Sequence, residues 1–296
     1  MKEIENKKIV KLNDGVEIPV LGFGTFLIPD DGSTYSAVKT ALAAGIRHID
    51  TAAAYFNETE VGEAIRRSGI PRKEIFLTSK LWIQDFGYEK AKEAINTSIK
   101  KLGIDYIDLY LIHHPYGDVV GAWKAMEEAK EQGKIRSIGV SNMTPKIWNT
   151  YIPKFNTLPS VNQVEFNPYC QQKELRKLMK EAGVHVESWG PLGSGNQKLL
   201  KEPLIEKIAQ KYNKNSGQII LRFEIQDGVI VFPKSSHLER IKSNMDIFDF
   251  ELTENEMNLM RELDKGRGSH DPDAEGVEEM LLSAIDVHAN GYFLEK

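Results

Sequence analysis

The sequence has a single cysteine, Cys170, and no long apolar run. One cysteine cannot form a disulfide within the chain, which is typical of a reducing compartment, so we expect a cytoplasmic protein. No uncharged apolar stretch approaches the roughly 20 residues needed to span a bilayer. The charged N-terminus also lacks the apolar segment of a secretory signal. These absences argue against a disulfide-stabilised secreted protein and against a membrane partner.

Basic residues are not in excess either. The net charge is -5 and the pI is about 5.9. Nucleic acid is therefore not expected as a partner, because binding its phosphates requires a basic face. Any phosphate site must be local. No metal site is expected, because the adjacent histidines His113 and His114 have no further His or Cys cluster beside them. Cys170 is interpreted as a half-buried structural thiol rather than a nucleophile.

The chain has 296 residues, of which 41% are hydrophobic and 27% charged. This is typical of a soluble globular protein with a large core. We find no linker, charge block or change of composition, so residues 1–296 are predicted to form one domain.

Strand-like apolar runs recur along the chain. Asn13-Asp14-Gly15 joins two short runs near the N-terminus and predicts an opening β-hairpin. Eight further runs follow: PVLGFG, IRHID, EIFLTSK, YIDLYLIHH, KIRSIGVSN, SVNQVEFN, VHVESWG and VIVFPKS.

Amphipathic helical patterns lie between these runs, as in residues 33–44, 58–67, 88–101 and 120–132. Gly45, Gly103, Gly133 and Gly183 stand where such helices should end. Regular alternation of eight strands with helices favours a closed (β/α)8 barrel of the TIM type over an open sheet. The last stretch, residues 266–296, is expected to pack over the barrel mouth or to be partly mobile.

Four polar residues follow or end these apolar runs: Asp50, Tyr55, Lys80 and His113. In a barrel the carboxyl ends of the strands meet, so these side chains are expected to converge. A phenol has a pKa of about 10 and needs a neighbouring cation to release its proton at neutral pH. Lys80 would stabilise the phenolate, Asp50 would hold the ammonium, and His113 would orient a substrate oxygen.

The strings around these residues are more specific than any one of them. GIRHIDTAAAYFNETEVGEAI, FLTSKLW, DYIDLYLIHHP, GKIRSIGVSN, NQVEFNPY and VFPKSSHLERIKSN resemble, in order, the signature segments of the aldo-keto reductase family. The resemblance covers about residues 8–264, and the chain is similar to bacterial-type members of the family. It implies that Asp50, Tyr55, Lys80 and His113 are the catalytic tetrad of an oxidoreductase that reduces aldehydes and ketones. Tyr55 would be the general acid in reduction and the base in oxidation.

No GxGxxG motif follows a strand, and LGFGT lacks the context of a dinucleotide-binding helix, so a Rossmann enzyme is not predicted. The resemblance instead implies a nicotinamide dinucleotide across the barrel mouth. Ser141, Asn142 and Gln163 would bind its carboxamide, and Trp189 would stack on the ring in place of the tyrosine of many relatives. The remaining candidates near the cofactor are Leu192 and Ser194 for the pyrophosphate, with Gly24 and Thr25.

The segment PKSSHLER follows the eighth strand, where barrels commonly bind phosphate. Lys234, Ser235 and Arg240 combine two cations and a hydroxyl suited to the 2′-phosphate of NADP, so NADPH/NADP+ is predicted over NADH. Asn244 is expected to reach the adenine. Ser243 replaces an acidic residue of many relatives, which removes that contact.

Phe26, Trp82 and His114 are expected to line the substrate pocket, where His114 replaces the tryptophan of many relatives. An aromatic wall accepts small aldehydes and ketones without sharp selection. Reactive aldehydes such as methylglyoxal, keto-sugars and aromatic aldehydes all remain open. We expect a monomer, and the sequence leaves an oligomer open.

Two other functions are weighed against this one. A redox-sensing subunit would keep the cofactor site but show little turnover, and the intact tetrad argues against it. An aldolase on the same barrel would use Lys80 as a Schiff-base nucleophile. Strict dependence on a nicotinamide cofactor would separate the reductase from the aldolase.

Overall fold

The structure is a computed structural model that describes residues 8–289. Its strands in this range are β1 (Ile9–Lys11), β2 (Glu17–Pro19), β3 (Phe23–Gly24), β4 (His48–Asp50), β5 (Phe76–Leu81), β6 (Ile107–Ile112), β7 (Ile135–Ser141), β8 (Val161–Glu165), β9 (His185–Trp189) and β10 (Val229–Val231).

Strands β3 to β10 form one parallel sheet in chain order. Its two ends meet, because the amide of Gly22 donates to the carbonyl of Val231 at 2.8 Å and the amide of Val231 donates to the carbonyl of Val20 at 2.9 Å. These bonds join β10 to the residues just before β3. The predicted eight-stranded α/β barrel is confirmed.

Helices connect successive strands and cover the outside of the barrel. They are α1 (Ser33–Ala44), α2 (Glu58–Arg66), α3 (Tyr88–Leu102), α4 (Val119–Glu131), α5 (Pro145–Tyr151), α6 (Lys173–Ala182), α7 (Gln197–Leu200), α8 (Pro203–Tyr212), α9 (Ser216–Gln226), α10 (Leu238–Met245), α11 (Glu254–Glu262) and α12 (Val277–Ala284). Short 3-10 turns span Ala53–Tyr55, Arg72–Glu74, Ile83–Asp85, Ile152–Lys154 and Gly193–Gly195. None of the helices within residues 8–289 combines the length and the apolar character needed to cross a bilayer.

Glycines end three of these helices as the sequence predicts. Gly45, Gly103 and Gly183 are C-caps with φ of 110°, 62° and 70°. This left-handed conformation strains a residue that has a Cβ and does not strain glycine. Gly133 also has a positive φ of 75°, but it lies one residue beyond the cap of α4, which is Gln132.

The predicted hairpin closes the amino end of the barrel. Strands β1 and β2 pair antiparallel around Asn13-Asp14-Gly15, with Val10 opposite Ile18. Leu12 and Ile18 are buried in a cluster with barrel residues such as Leu109. The hairpin therefore seals the end opposite to the one where the strands terminate in polar residues.

The chain after α11 crosses the carboxyl end of the barrel, up to residue 289. The backbone amide and hydroxyl of Ser269 both donate to Glu165, at 2.7 and 2.8 Å. The Tyr116 hydroxyl donates to the Pro272 carbonyl at 2.8 Å. The described part of the tail thus packs over the mouth, as expected, and residues 290–296 lie outside the described residues.

Candidate active site

The four predicted catalytic residues come from neighbouring strands at the carboxyl end of the barrel. Asp50 ends β4, Lys80 lies near the end of β5, and His113 directly follows β6. Tyr55 ends the 3-10 turn that follows β4. Adjacent parallel strands bring these separated segments together, which is the convergence that the sequence predicts.

Lys80 is at the centre of this group. Its ammonium donates to Oδ1 of Asp50 at 2.6 Å, to the Thr51 carbonyl at 3.0 Å and to the Tyr55 hydroxyl at 3.2 Å. Lys80 is fully buried and Asp50 nearly so, while Tyr55 is half-buried. The three partners match the three N–H donors of the ammonium, so its direction is fixed.

Burial and charge act in opposite directions on the pKa values here. Burial would lower the pKa of Lys80, but attraction to Asp50 and Tyr55 outweighs burial, and the pKa is raised. Burial raises the pKa of Tyr55, and the Lys80 charge opposes this only in part. Lys80 therefore pulls the phenol pKa down, as expected from sequence, yet the net shift is upward. At neutral pH the site holds a charged ammonium beside a protonated phenol.

His113 lies beside Tyr55 as a neutral imidazole. The two rings are 5.6 Å apart, centroid to centroid, at an angle of 77°. Burial above all, together with the neighbouring His114 and Lys80, holds the pKa of His113 well below its usual range. Its Nδ1 is buried and has no hydrogen-bond partner among residues 8–289. A neutral imidazole offers one donor and one acceptor.

Gln163, predicted to bind the cofactor, also contacts the tetrad. Its Nε2 donates to Oδ2 of Asp50 and to Oε2 of Glu187, both at 3.0 Å. Glu187 in β9 is fully buried and was not predicted as a site residue. The signal in the sequence is an acidic residue in the middle of the apolar run VHVESW.

Ser141, Asn142 and Trp189 lie next to Gln163 at the ends of β7 and β9. Ser141 Oγ donates to the Gln163 carbonyl at 2.7 Å. The Asn142 amide donates to the His113 carbonyl at 3.0 Å, and its Oδ1 accepts from the indole nitrogen of Trp189 at 2.9 Å. The predicted carboxamide-binding residues and the predicted stacking tryptophan are thus held together by hydrogen bonds.

Gly24 and Thr25 lie at the end of β3. The Thr25 hydroxyl is buried and donates to the Asp50 carbonyl at 3.0 Å. A Cβ on Gly24 would meet the Phe232 carbonyl oxygen at 3.3 Å, so this position favours glycine for packing. Both residues support the site from within the protein, and their contact with a cofactor stays a prediction.

The residues predicted to bind phosphates follow β9 and β10, and one of them, Arg240, lies in α10. Lys234 and Arg240 are exposed, and neither makes an ion pair with any residue that the structure describes. Ser235 is buried and its hydroxyl accepts from the His237 amide at 3.0 Å. The other predicted contacts are Leu192, which is half-buried, Ser194, which is exposed, and Asn244, half-buried in α10.

Aromatic rings lie beside Tyr55 and beside His113. The Phe26 side chain is 46% exposed, and its ring lies 5.0 Å from that of Tyr55. Trp82 is buried and packs edge-on against His113 and His114, with centroids 5.2 and 5.7 Å away. Phe26 is therefore at the rim of the predicted pocket and Trp82 lies behind its imidazoles.

His114 and the tail complete this wall. Asn142 donates to Nδ1 of His114 at 3.3 Å, and burial lowers the pKa of His114 to about 3. A neutral His114 that accepts at Nδ1 carries its proton on Nε2. The ring of His270, from the tail, lies 6.0 Å from that of His114. Sequence reasoning missed His270, because no local pattern predicts where the tail crosses the barrel.

A separate concavity of about 560 Å³ lies outside the barrel, between α3 and the end of the tail. Its lining residues include Glu58, Lys90, Lys101 and His288, and none of the predicted site residues lines it.

Cys170 is also outside the predicted site. Burial raises the pKa of its thiol to about 12. A thiol with this pKa is a poor nucleophile, which agrees with a structural role.

A sequence model described as the aldo/keto reductase family matches residues 20–265. An aldo-keto reductase of Mycolicibacterium smegmatis is 46% identical over 261 residues, covering 87% of this chain and 94% of that protein. Glyoxal reductase of Bacillus subtilis is 44% identical over 260 residues, covering 88% and 94%.

A solved structure is also similar to this chain along most of its length. The crystal structure of an aldo/keto reductase from Brucella melitensis superimposes with a TM-score of 0.83 at 48% identity and covers 86% of this chain and 99% of that one. Members of the family generally use NADH or NADPH. The chain belongs to the aldo/keto reductase family and is an oxidoreductase that reduces carbonyl groups.

Proposed function

We propose that this protein is an NADPH-dependent reductase of small aldehydes and ketones, in which Tyr55 donates the proton. The observation that carries the proposal is the contact of the Lys80 ammonium with both Asp50, at 2.6 Å, and the Tyr55 hydroxyl, at 3.2 Å. An acid with a fixed cation beside it can release a proton during reaction and remain protonated beforehand.

The reaction needs a hydride at the carbonyl carbon and a proton at the carbonyl oxygen. NADPH, when bound, supplies the hydride. Tyr55 supplies the proton as the oxygen gains negative charge, and the phenolate that forms is stabilised by Lys80. Asp50 keeps Lys80 charged and directed at the phenol. In the reverse direction the same phenolate would accept the proton of the alcohol.

His113 is proposed to donate a hydrogen bond to the carbonyl oxygen. Its position beside Tyr55 allows both groups to reach one oxygen, and its lowered pKa keeps it neutral. A neutral donor stabilises developing negative charge without competing with Tyr55 to transfer a proton. His113 therefore orients the substrate, and Tyr55 is the acid.

Ser141, Asn142 and Gln163 are proposed to bind the nicotinamide carboxamide, and Trp189 to stack on the ring. These residues fit the group: short polar side chains and one flat indole meet at the ends of adjacent strands. Gln163 Oε1 makes no hydrogen bond to any other described residue, so it is free to accept from a carboxamide N–H.

Lys234, Ser235 and Arg240 are proposed to bind the 2′-phosphate that distinguishes NADPH from NADH. The support is that both cations are exposed and lack a carboxylate partner within residues 8–289. Asn244 is proposed to contact the adenine, and Leu192 and Ser194 the pyrophosphate, with Gly24 and Thr25 bordering the cofactor. An arginine fork and a lysine point charge suit a dianionic phosphate.

Phe26, Trp82 and His114 are proposed to form the substrate wall. An aromatic wall accepts small aldehydes and ketones of varied shape. His114, with its proton on Nε2, adds one neutral donor that suits a substrate carrying a second oxygen near the carbonyl. The relative named glyoxal reductase is consistent with such substrates. We also propose that the protein is a single domain, which the structure describes over residues 8–289, and that it acts as a monomer.

An aldolase reaction at Lys80 is disfavoured. A Schiff-base nucleophile must lose its charge, whereas attraction to Asp50 and Tyr55 overcomes the effect of burial and raises the pKa of Lys80.

The test is a steady-state screen of aldehydes and ketones with NADPH and with NADH. The proposal predicts oxidation of NADPH that requires a carbonyl substrate, with much lower efficiency for NADH. Tight NADPH binding without turnover would instead support a redox sensor, and carbonyl chemistry without either cofactor would support an aldolase.

A further inference from the structure

Glu187 is a buried acid that the mechanism above does not use. It lies in the middle of β9, faces the barrel interior and is 0% exposed. Its Oε1 has no hydrogen-bond partner in the described part of the chain, and its Oε2 has one, Nε2 of Gln163. A carboxyl group buried with so few hydrogen bonds lowers the stability of the folded protein, so its presence calls for a role toward a neighbouring residue.

The strand register places that neighbour directly alongside. Gln163 in β8 is opposite Glu187 in β9, and on its other side Gln163 is opposite Ser141 in β7. Side chains at paired positions of a parallel sheet point to the same face. Ser141, Gln163 and Glu187 thus form one row inside the barrel, level with the proposed nicotinamide site.

The Gln163 amide nitrogen has two hydrogens and two carboxyl acceptors, Asp50 and Glu187, each at 3.0 Å. If the amide were rotated by half a turn, its carbonyl oxygen would face the Asp50 carboxylate and lose that bond. It could then be bonded to Glu187 only through the proton of a neutral carboxyl group, so at most one of the two bonds would remain. Asp50 alone would satisfy one N–H and leave the other without an acceptor. Together the two acids fix Oε1 on the side away from them.

We propose that Glu187 is a positioning residue that orients Gln163 so that Oε1 accepts from the nicotinamide carboxamide. This rests on the proposed function, because it takes Gln163 as a ligand of the cofactor. Glu187 touches neither cofactor nor substrate and acts through Gln163.

The protonation state of Glu187 supports an independent test. Burial raises its pKa to about 8, partly opposed by the bond from Gln163. The charged groups that face it are Asp50 from β4 and Lys80 from β5, which respectively raise and lower this pKa. Glu187 is therefore mainly neutral at pH 7 and gains a negative charge as the pH rises through about 8.

The experiment compares Glu187→Leu and Glu187→Gln with the wild type in fluorescence titrations with NADPH. Glu187→Leu removes the acceptor and should weaken binding roughly tenfold, the effect of losing about one buried hydrogen bond. Glu187→Gln keeps an acceptor oxygen and should bind within about twofold of wild type, since one bond remains. Glu224→Leu, at another fully buried acid, in α9, is the control that should leave NADPH binding unchanged. Thermal unfolding of each variant checks that it is folded.

A second readout needs no turnover. Infrared spectra of the free protein should show protonated carboxylic acid absorption, and the part that disappears as the pH rises through about 8 should be absent from Glu187→Gln. Burial also raises the pKa of Glu224, which therefore contributes equally to this absorption in both proteins. A negative Glu187 should also favour the cationic nicotinamide ring of NADP+ over the neutral ring of NADPH. The Kd for NADP+ divided by the Kd for NADPH should therefore fall as the pH rises through this range, and only in the wild type.

Binding by Glu187→Leu equal to wild type would overturn the inference, as would equal losses in the Leu and Gln variants. In both cases a normal wild-type reductase would leave the proposed function intact. NADH carries the same nicotinamide as NADPH. If the protein preferred NADH, the same titrations with NADH would test the inference equally well. Failure of the wild type to bind either dinucleotide would overturn the proposed function and this inference together.

Discussion

The Lys80 ammonium lies 2.6 Å from Oδ1 of Asp50, and the side chains of the two residues are only 1% and 6% exposed. A buried ion pair of this kind contributes little net stability, because desolvation offsets the attraction between the charges. Removing one partner is different, since it leaves an uncompensated charge inside the protein. The ion pair is therefore better explained by a role in the reaction than by a contribution to the stability of the fold.

Lys80→Met should lose most carbonyl reduction and should also destabilise the protein. The loss of one partner from a buried ion pair lowers the free energy of unfolding by about 3–5 kcal/mol. The double variant Asp50→Asn with Lys80→Met carries neither charge and should recover much of this stability without recovering activity. Urea unfolding and NADPH oxidation measure the two effects. A double variant no more stable than Lys80→Met would contradict this view of the pair.

The reduction rate should be insensitive to pH in the mildly acidic range. Burial holds the pKa of His113 well below its ordinary value of 6.5, so His113 does not gain charge there. Burial raises the pKa of Tyr55 above 10, although Lys80 opposes it, so the acid form persists at neutral pH. We expect kcat/KM for the aldehyde, at saturating NADPH, to fall only on the alkaline side. An inflection near the ordinary histidine pKa of about 6.5 would contradict this assignment.

Replacing Lys234 and Arg240 by alanine should remove the preference for NADPH. Each charge-assisted hydrogen bond is worth about 1.5–3 kcal/mol, so KM for NADPH should rise by tenfold or more while that for NADH hardly changes. Lys242→Ala is a suitable control, because this exposed lysine of α10 already pairs with Glu239 at 3.3 Å. An unchanged ratio of NADPH to NADH efficiency in the double variant would refute the phosphate assignment.

Cofactor binding should quench the fluorescence of Trp189. The chain has four tryptophans, and Trp189 is the one hydrogen-bonded to Asn142. Trp189→Tyr should therefore lose most of the quenching while still binding NADPH. Trp82→Phe serves as the comparison, because Trp82 is buried behind His113 and should contribute less. Identical quenching in wild type and Trp189→Tyr would count against stacking.

Local patterns predicted much of the fold. Strands such as β5 and β6 are buried along their whole length, so they appear as apolar runs in the sequence. Helix α1 spans Ser33–Ala44, the predicted range, because its apolar spacing and the glycine at its end agree. The order of strands and the closure of the barrel followed from the regular alternation.

The site was only partly predictable for a physical reason. Asp50, Lys80 and His113 lie at or next to strand ends and Tyr55 in the turn after β4, so strand ends together with the family resemblance predicted that these four residues would converge. The acidic residue in the apolar run VHVESW is a local signal for Glu187, but its contact with Gln163 depends on a cross-strand register that no local pattern gives. His270 was missed because the tail reaches His114 through contacts far apart in sequence. Likewise, sequence indicated the pull of Lys80 on the Tyr55 pKa but not the larger effect of burial.

The most direct test of the central claim is the rate of NADPH oxidation by Tyr55→Phe with an aldehyde, measured beside its NADPH affinity. The variant lacks only the hydroxyl that contacts Lys80 at 3.2 Å. We predict a fall in kcat of roughly 10²- to 10⁴-fold, the usual contribution of general acid catalysis, with NADPH affinity nearly unchanged. Turnover like that of the wild type would contradict the assignment of Tyr55 as the proton donor.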